Sequence, residues 1–128
     1  MKKLITLFTI LLSILLTSCS GSDVYRGQWY ATNADGEQFT ILFDENNFKV
    51  TNQNKETEEY PYSQNTYKSS NSVVTYGIKL KDGRNLSIHF PIAKNDQVGY
   101  IMSPQDQIIF TISRTGYTNK DDIYKLGK

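Results

Sequence analysis

The side chains that could do chemistry are few in this chain, and their spacing decides against most reactions. There is one histidine, His89, and one cysteine, Cys19, in 128 residues. A hydrolase triad would have to use His89 as its base, yet His89 alternates with Leu86, Ile88 and Phe90 so as to face solvent. Glu58-Glu59 and Asp121-Asp122 are adjacent carboxylates. Neighbours on a strand point to opposite faces, so neither pair makes an acid/base couple, and both read as solvated loop charge. Asp44-Glu45-Asn46-Asn47 lacks the ligand spacing of a cation loop. Asn85-Leu86-Ser87 matches a glycosylation sequon but falls inside an expected strand. No glycine-rich phosphate loop occurs. The expectation is a protein that is not an enzyme and takes no metal or cofactor.

Charge narrows the partners. The chain has 14 Lys+Arg against 13 Asp+Glu; without Lys2 and Lys3 the balance is near −1. A nucleic-acid partner calls for a strongly basic face, so none is expected. Electrostatic adhesion to anionic lipid is disfavoured for the same reason. With one cysteine, no disulfide can form within the chain, and the core must be held by packing.

The lone thiol has another use. Met1-Lys2-Lys3 is a short positive segment, and Leu4 to Leu16 is apolar except for Thr6, Thr9 and Ser13. Thirteen helical residues at 1.5 Å rise reach roughly 20 Å, short of the ~30 Å hydrocarbon core of a bilayer. The order of a basic segment, an apolar run and small residues is instead that of a secretory signal. Leu16-Thr17-Ser18-Cys19 resembles the bacterial lipobox, in which the cysteine takes a diacylglyceryl group and becomes the first residue. Residues 1–18 are therefore expected to be removed, with Cys19 as the lipidation site and 19–24 as a flexible tether. The resulting location is the extracytoplasmic face of the cell membrane, held by acyl chains whose burial is worth about 0.8 kcal/mol per CH₂.

The elements that must position everything else are strands. From Tyr25 onward apolar and polar residues alternate: Phe39, Ile41 and Phe43; Phe48 and Val50; Val74, Tyr76, Ile78 and Leu80; Leu86, Ile88 and Phe90; Ile108, Phe110 and Ile112. Asp35-Gly36 and Asp82-Gly83 read as two-residue hairpins, because a type I′ turn requires positive φ at both positions. Asn46-Asn47, Asn71-Ser72 and Asn95-Asp96 are weaker turn signals. Strands are expected near 26–33, 37–44, 47–53, 58–69, 73–81, 84–91, 97–103 and 107–114. The fourth has the least support, since Glu56 to Gln64 is polar and holds Pro61. A short helix around Asp121 to Leu126 is expected to end a single domain spanning 25–128. Eight short strands joined by tight turns make an all-β, antiparallel, up-and-down barrel, in which closure removes the exposed edges.

Gly27-Gln28-Trp29 on the first strand resembles the Gly-x-Trp start of lipocalins and related calycin barrels. The resemblance implies that Trp29 closes one end of the barrel and that Arg114, just past the last strand, lies across its ring. The chain also resembles small lipoproteins of streptococci and other Gram-positive bacteria that carry a compact lipocalin-like barrel; that likeness covers most of residues 16–114 and imports no assigned activity.

A ligand surface is sought among the nine tyrosines, all after residue 24. Tyr60, Tyr62 and Tyr67 cluster on the fourth strand, and Tyr76 and Tyr100 are placed toward the interior. Tyrosine combines contact area with a polar handle. The leading expectation is a non-enzymatic binding module for a small apolar molecule or lipid. The alternative is an envelope protein-interaction role: immunity to a toxin or bacteriocin, phage exclusion, or docking of an exported partner.

Overall fold

A computed structural model describes residues 22–123. The expected signal segment, Cys19 and the second half of the C-terminal helix expected over 121–126 lie outside the described residues. Eight strands follow in order: β1 (Gly27–Asn33), β2 (Gln38–Phe43), β3 (Asn47–Thr51), β4 (Thr57–Ser70), β5 (Val73–Leu80), β6 (Asn85–Phe90), β7 (Val98–Met102) and β8 (Ile108–Ser113). Every neighbouring pair is antiparallel, and β8 returns to β1 through Tyr30↔Ser113 to Asn33↔Phe110, so the sheet is a closed barrel. No helix among the described residues is long and apolar enough to cross a membrane.

The alternation sets the inside. Trp29, Ala31, Ile41, Phe43, Phe48, Tyr62, Tyr76, Ile78, Leu80, Ile88, Phe90, Ile101 and Ile112 are buried in one cluster with Tyr25. Their partners in sequence, such as Leu42 and Lys79, face outward. A second, smaller cluster lies outside the barrel wall. There Val98, Tyr100 and Ile123 pack with Ile92, Met102 and Ile108, and the Tyr100 hydroxyl donates to the Lys120 carbonyl at 2.8 Å. The segment after β8 thus folds back over β7.

Two details differ from the sequence expectation, each for a local reason. A register shift between Ile101 and Met102 pairs Met102 with Ile108. This bulge puts Ile108 in the outer cluster rather than beside Phe110 and Ile112. The turns differ as well. Gly36 and Gly83 have φ of +82° and +99°, whereas Asp35 and Asp82 do not have positive φ. Gly36 N–H donates to Asn33 O and Asn33 N–H to Glu37 O; Leu80, Gly83 and Arg84 repeat the pattern. These are three-residue loops, a turn followed by one left-handed residue, not two-residue type I′ turns. The β3–β4 and β7–β8 hairpins use the same device with Lys55 (φ 64°) and Asp106 (φ 61°) in the left-handed place. The loop with two consecutive positive φ values is Asn71-Ser72, at 53° and 65°.

β4, the least supported strand by sequence, is the longest at 14 residues. Residues 57–61 pair with β3 and 62–70 with β5. Pro61 falls at the change of neighbour, where a missing N–H costs least.

Candidate functional site

The two ends of the barrel are built differently. At the end where the described chain enters, Trp29 is fully buried and its indole Nε1 donates to the Tyr25 carbonyl at 2.8 Å. The Arg114 guanidinium lies 3.7 Å from the indole centroid. It donates to three carbonyls, Gln28 at 2.9 Å, Val24 at 3.0 Å and Arg26 at 2.7 Å. Arg114 thereby ties the entering segment to the end of β8. Gly27 belongs to this arrangement, because its φ is +96° and a Cβ there would meet Arg114 Nη1 at 3.2 Å. Arg114 thus lies across the Trp29 ring, as the resemblance to lipocalins implied.

Aromatic rings fill the space above this plug. Tyr25 packs against Phe43, Tyr62 and Tyr76 with centroids 5.5, 6.3 and 5.1 Å apart. The buried hydroxyls find acceptors: Tyr25 donates to Gln64 Oε1 at 2.8 Å and Tyr62 to the Asp44 carbonyl at 2.6 Å. Burial pushes both phenols above their usual pKa. This end is solid.

The opposite end is open. Its mouth is a cavity of about 360 Å³, within the roughly 300–1,000 Å³ usual for ligand pockets. Phe39, Val50, Leu86 and Phe110 form half-buried walls, and Phe48, Leu80 and Ile101 the floor. Phe39 meets Phe110 edge-on at 5.3 Å, and Phe48 stacks on Tyr60 at 5.1 Å. Larger depressions on the outer wall are lined mainly by polar side chains.

The rim of the mouth carries the polar groups. Cross-strand register pairs Val50 with Glu58, so Glu58 shares the inward face of Val50 and Tyr60. The Tyr60 hydroxyl donates to the Glu58 carboxylate. This bond, with some burial, holds the phenol above its usual pKa. The Arg84 guanidinium stands 5.3 Å from the Tyr60 centroid and is gripped by Asp82 through Nε at 3.0 Å and Nη2 at 2.8 Å. That pairing lowers the Asp82 carboxyl and raises Arg84. The arrangement offers an apolar body site and a charged head site.

The five tyrosines singled out by sequence do not form one surface. Tyr60 lines the mouth; Tyr62 and Tyr76 belong to the aromatic packing at the plugged end. Tyr67 is exposed at 59% and leans on Tyr76 at 5.5 Å. Tyr100, placed toward the interior by sequence, points outward and is covered by the segment after β8, because the inward positions of β7 are Gly99 and Ile101. His89 also faces outward, half-buried, with Nδ1 2.7 Å from the Thr75 hydroxyl. Sequence reasoning missed Phe39, Val50, Leu86, Phe110, Glu58 and Arg84 as mouth residues. The available signal was proximity to one set of turns: each lies within six residues of a hairpin at the open end.

Fold and site define a closed, eight-stranded antiparallel barrel with one plugged and one open end, consistent with a lipocalin-like barrel. Beyond that class, the chain matches no family model, no curated protein and no solved structure.

Proposed function

We propose that the protein is a non-enzymatic, membrane-anchored lipoprotein whose barrel mouth binds a small apolar molecule outside the cytoplasmic membrane. The observation that carries the reading is the 360 Å³ mouth, where half-buried Phe39, Val50, Leu86 and Phe110 leave apolar surface open to solvent. The cavity at the plugged end is smaller, about 200 Å³, and half of its lining is polar or charged (Ser72, Lys94, Asn95 and Asp96). An eight-stranded barrel can be filled by side chains or hold one small ligand; this barrel does the first at one end and leaves room for the second at the other. The polar groups at the rim suit a head group: the Tyr60 phenol is held above its usual pKa, which disfavours the phenolate a nucleophile needs, and the Arg84 guanidinium is paired with Asp82.

The anchor rests on Leu16-Thr17-Ser18-Cys19. Ser22 enters at the plugged end, where its N–H donates to Gln64 Oε1 at 2.9 Å. Three steps back along the chain span at most about 10 Å. A lipid on Cys19 would hold the plugged end toward the bilayer and turn the mouth away from it. The ligand would then arrive from the medium rather than from the membrane below.

The test has two arms. Native mass spectrometry of the full protein from membranes should show one retained small molecule, lost in Val50→Trp, which fills the mouth. A bare mass, with no titratable binding of a neutral apolar probe such as octanol, would end the ligand reading. Labelling cells with radioactive palmitate should mark the wild type and not Cys19→Ser; equal labelling would end the anchor.

A further inference from the structure

The open end is unevenly charged, and the imbalance sits where a ligand's head would rest. Around the opening, among the described residues, Asp35, Glu37, Glu56, Glu58, Asp82, Asp106 and Asp121 outnumber the cations Lys55, Lys81, Arg84 and Lys120. Arg84 is the cation that lines the cavity, and Asp82 already holds it in the one ion pair among the described residues. Glu56 and Glu58 also line the cavity, and neither has a cationic side-chain atom within 4 Å among the described residues.

Position makes these two carboxylates matter more than a surface count. Glu58 is set by register beside Val50 and Tyr60, above the apolar floor, and the Tyr60 hydroxyl steadies it there. A carboxylate accepts several hydrogen bonds, so the Tyr60 bond leaves capacity for a ligand's donor. Charges at the lip of an apolar cavity are screened less than charges in open water. An incoming carboxylate head would meet two like charges, against one guanidinium whose charge Asp82 already offsets. An incoming ammonium head would meet complementary charge.

We propose that the mouth selects cationic amphiphiles: the apolar body enters among Phe39, Val50, Leu86 and Phe110, and an ammonium head stays at the rim against Glu56 and Glu58. This rests on the reading of the mouth as a binding site. It assigns that site a head-group class, which excludes fatty acids and anionic lipids as its preferred ligands.

The experiment compares three molecules with one tail. Octylamine, octanol and octanoate are titrated calorimetrically into the full protein held in neutral-lipid nanodiscs, with empty discs as blanks. Octylamine should bind at least tenfold more tightly than octanoate, with octanol between them. Raising the salt to 0.5 M should narrow the gap, because exposed charges are screened. The double variant Glu56→Gln/Glu58→Gln should erase most of the gap, read as the ratio of octylamine to octanoate affinity within that variant, so that any change in the mouth common to the three ligands cancels. Equal or tighter binding of octanoate overturns the proposal, as does an amine preference that survives the double variant. Octanol binding with no amine preference sinks the head-group assignment and leaves the binding site standing. If none of the three binds, both fail.

Discussion

The plugged end and the open end of the barrel use the same alternating strands to opposite effect. At the plugged end the inward positions carry Trp29, Phe43, Tyr62, Tyr76 and Phe90, and the entering segment adds Tyr25. Rings of that size meet across the barrel and exclude water. At the open end the inward positions carry Phe39, Val50, Leu86 and Phe110, and the space between them stays accessible. The turns follow the same division. All four open-end hairpins share one three-residue loop with a left-handed third residue, which holds the rim in a fixed outline. Asn33, Asn52 and Ser103 each reinforce it by accepting two backbone N–H bonds. One end is held by ring packing, and the other by its hairpins, which leaves apolar surface uncovered between them.

The largest effect that would break this comparison is in the plug. Trp29→Ala removes a fully buried indole and should cost about 3–5 kcal/mol, while Phe110→Ala, half-buried at the mouth, should cost about half as much. Urea unfolding of both variants gives the two values; equal losses would mean that the ends are energetically alike. Arg114→Lys comes next. A lysine keeps the charge but cannot reach three diverging carbonyls while covering a ring. Charged hydrogen bonds contribute about 1.5–3 kcal/mol, so a loss of about 2 kcal/mol is expected in the same assay. A loss under about 0.5 kcal/mol would make the guanidinium incidental to closure.

At the mouth the order reverses, with function changing more than stability. Val50→Trp should weaken octanol binding at least tenfold, about 1.4 kcal/mol, and shift unfolding by less than about 1 kcal/mol. If that variant binds octanol normally, the ligand sits elsewhere. The rim loops supply a smaller effect of opposite sign. Lys55 is held at φ 64°, and a side chain there carries a left-handed penalty of about 1 kcal/mol. Glycine removes the penalty but has more freedom to lose on folding. Lys55→Gly should therefore stabilise by about 0.5 kcal/mol. Asp106→Gly should gain less, because aspartate tolerates the left-handed region.

Much of the barrel could be read from the chain, and the reasons are local. All eight strands were placed within two residues of their observed ends; alternation marked β2, β3, β5, β6 and β8, each with one apolar face, and turn signals helped to bound the others. Gly27, Trp29 and Arg114 were legible as a set through the resemblance of Gly27-Gln28-Trp29 to the start of lipocalins, and the structure lays Arg114 across the indole. The mouth was not legible. Whether an inward Phe or Leu fills a core or lines an opening depends on strand stagger and on what faces it across the barrel, and neither is written in the alternation. Tyr100 was misplaced for a related reason. Alternation finds two faces but does not say which is covered from outside, and the segment over β7 is joined to it through tertiary contacts alone. Glu58 read as solvated charge, and it is exposed; its place at the mouth comes from its pairing with β3, which the alternation does not give.

The smallest expected effect tests the outer wall, which belongs to neither end. Burial lowers the pKa of His89 below its ordinary 6.5, partly opposed by Asp106. The fold therefore favours the neutral ring, whose Nδ1 meets the Thr75 hydroxyl. In the unfolded chain His89 takes up its proton as pH falls through about 6.5, while in the folded chain it does so only at lower pH. Between those two values the unfolded state binds more protons, so stability falls as pH falls. Above 6.5 both states are neutral and His89 contributes no slope; below the folded value both are charged and its slope vanishes again. Melting curves from pH 7.5 to 5 should show a modest loss that His89→Gln flattens. Because His89 lies on the wall, octanol affinity per folded molecule should stay constant across that range. A parallel fall in affinity would couple the wall to the mouth and end the division of the barrel into independent parts.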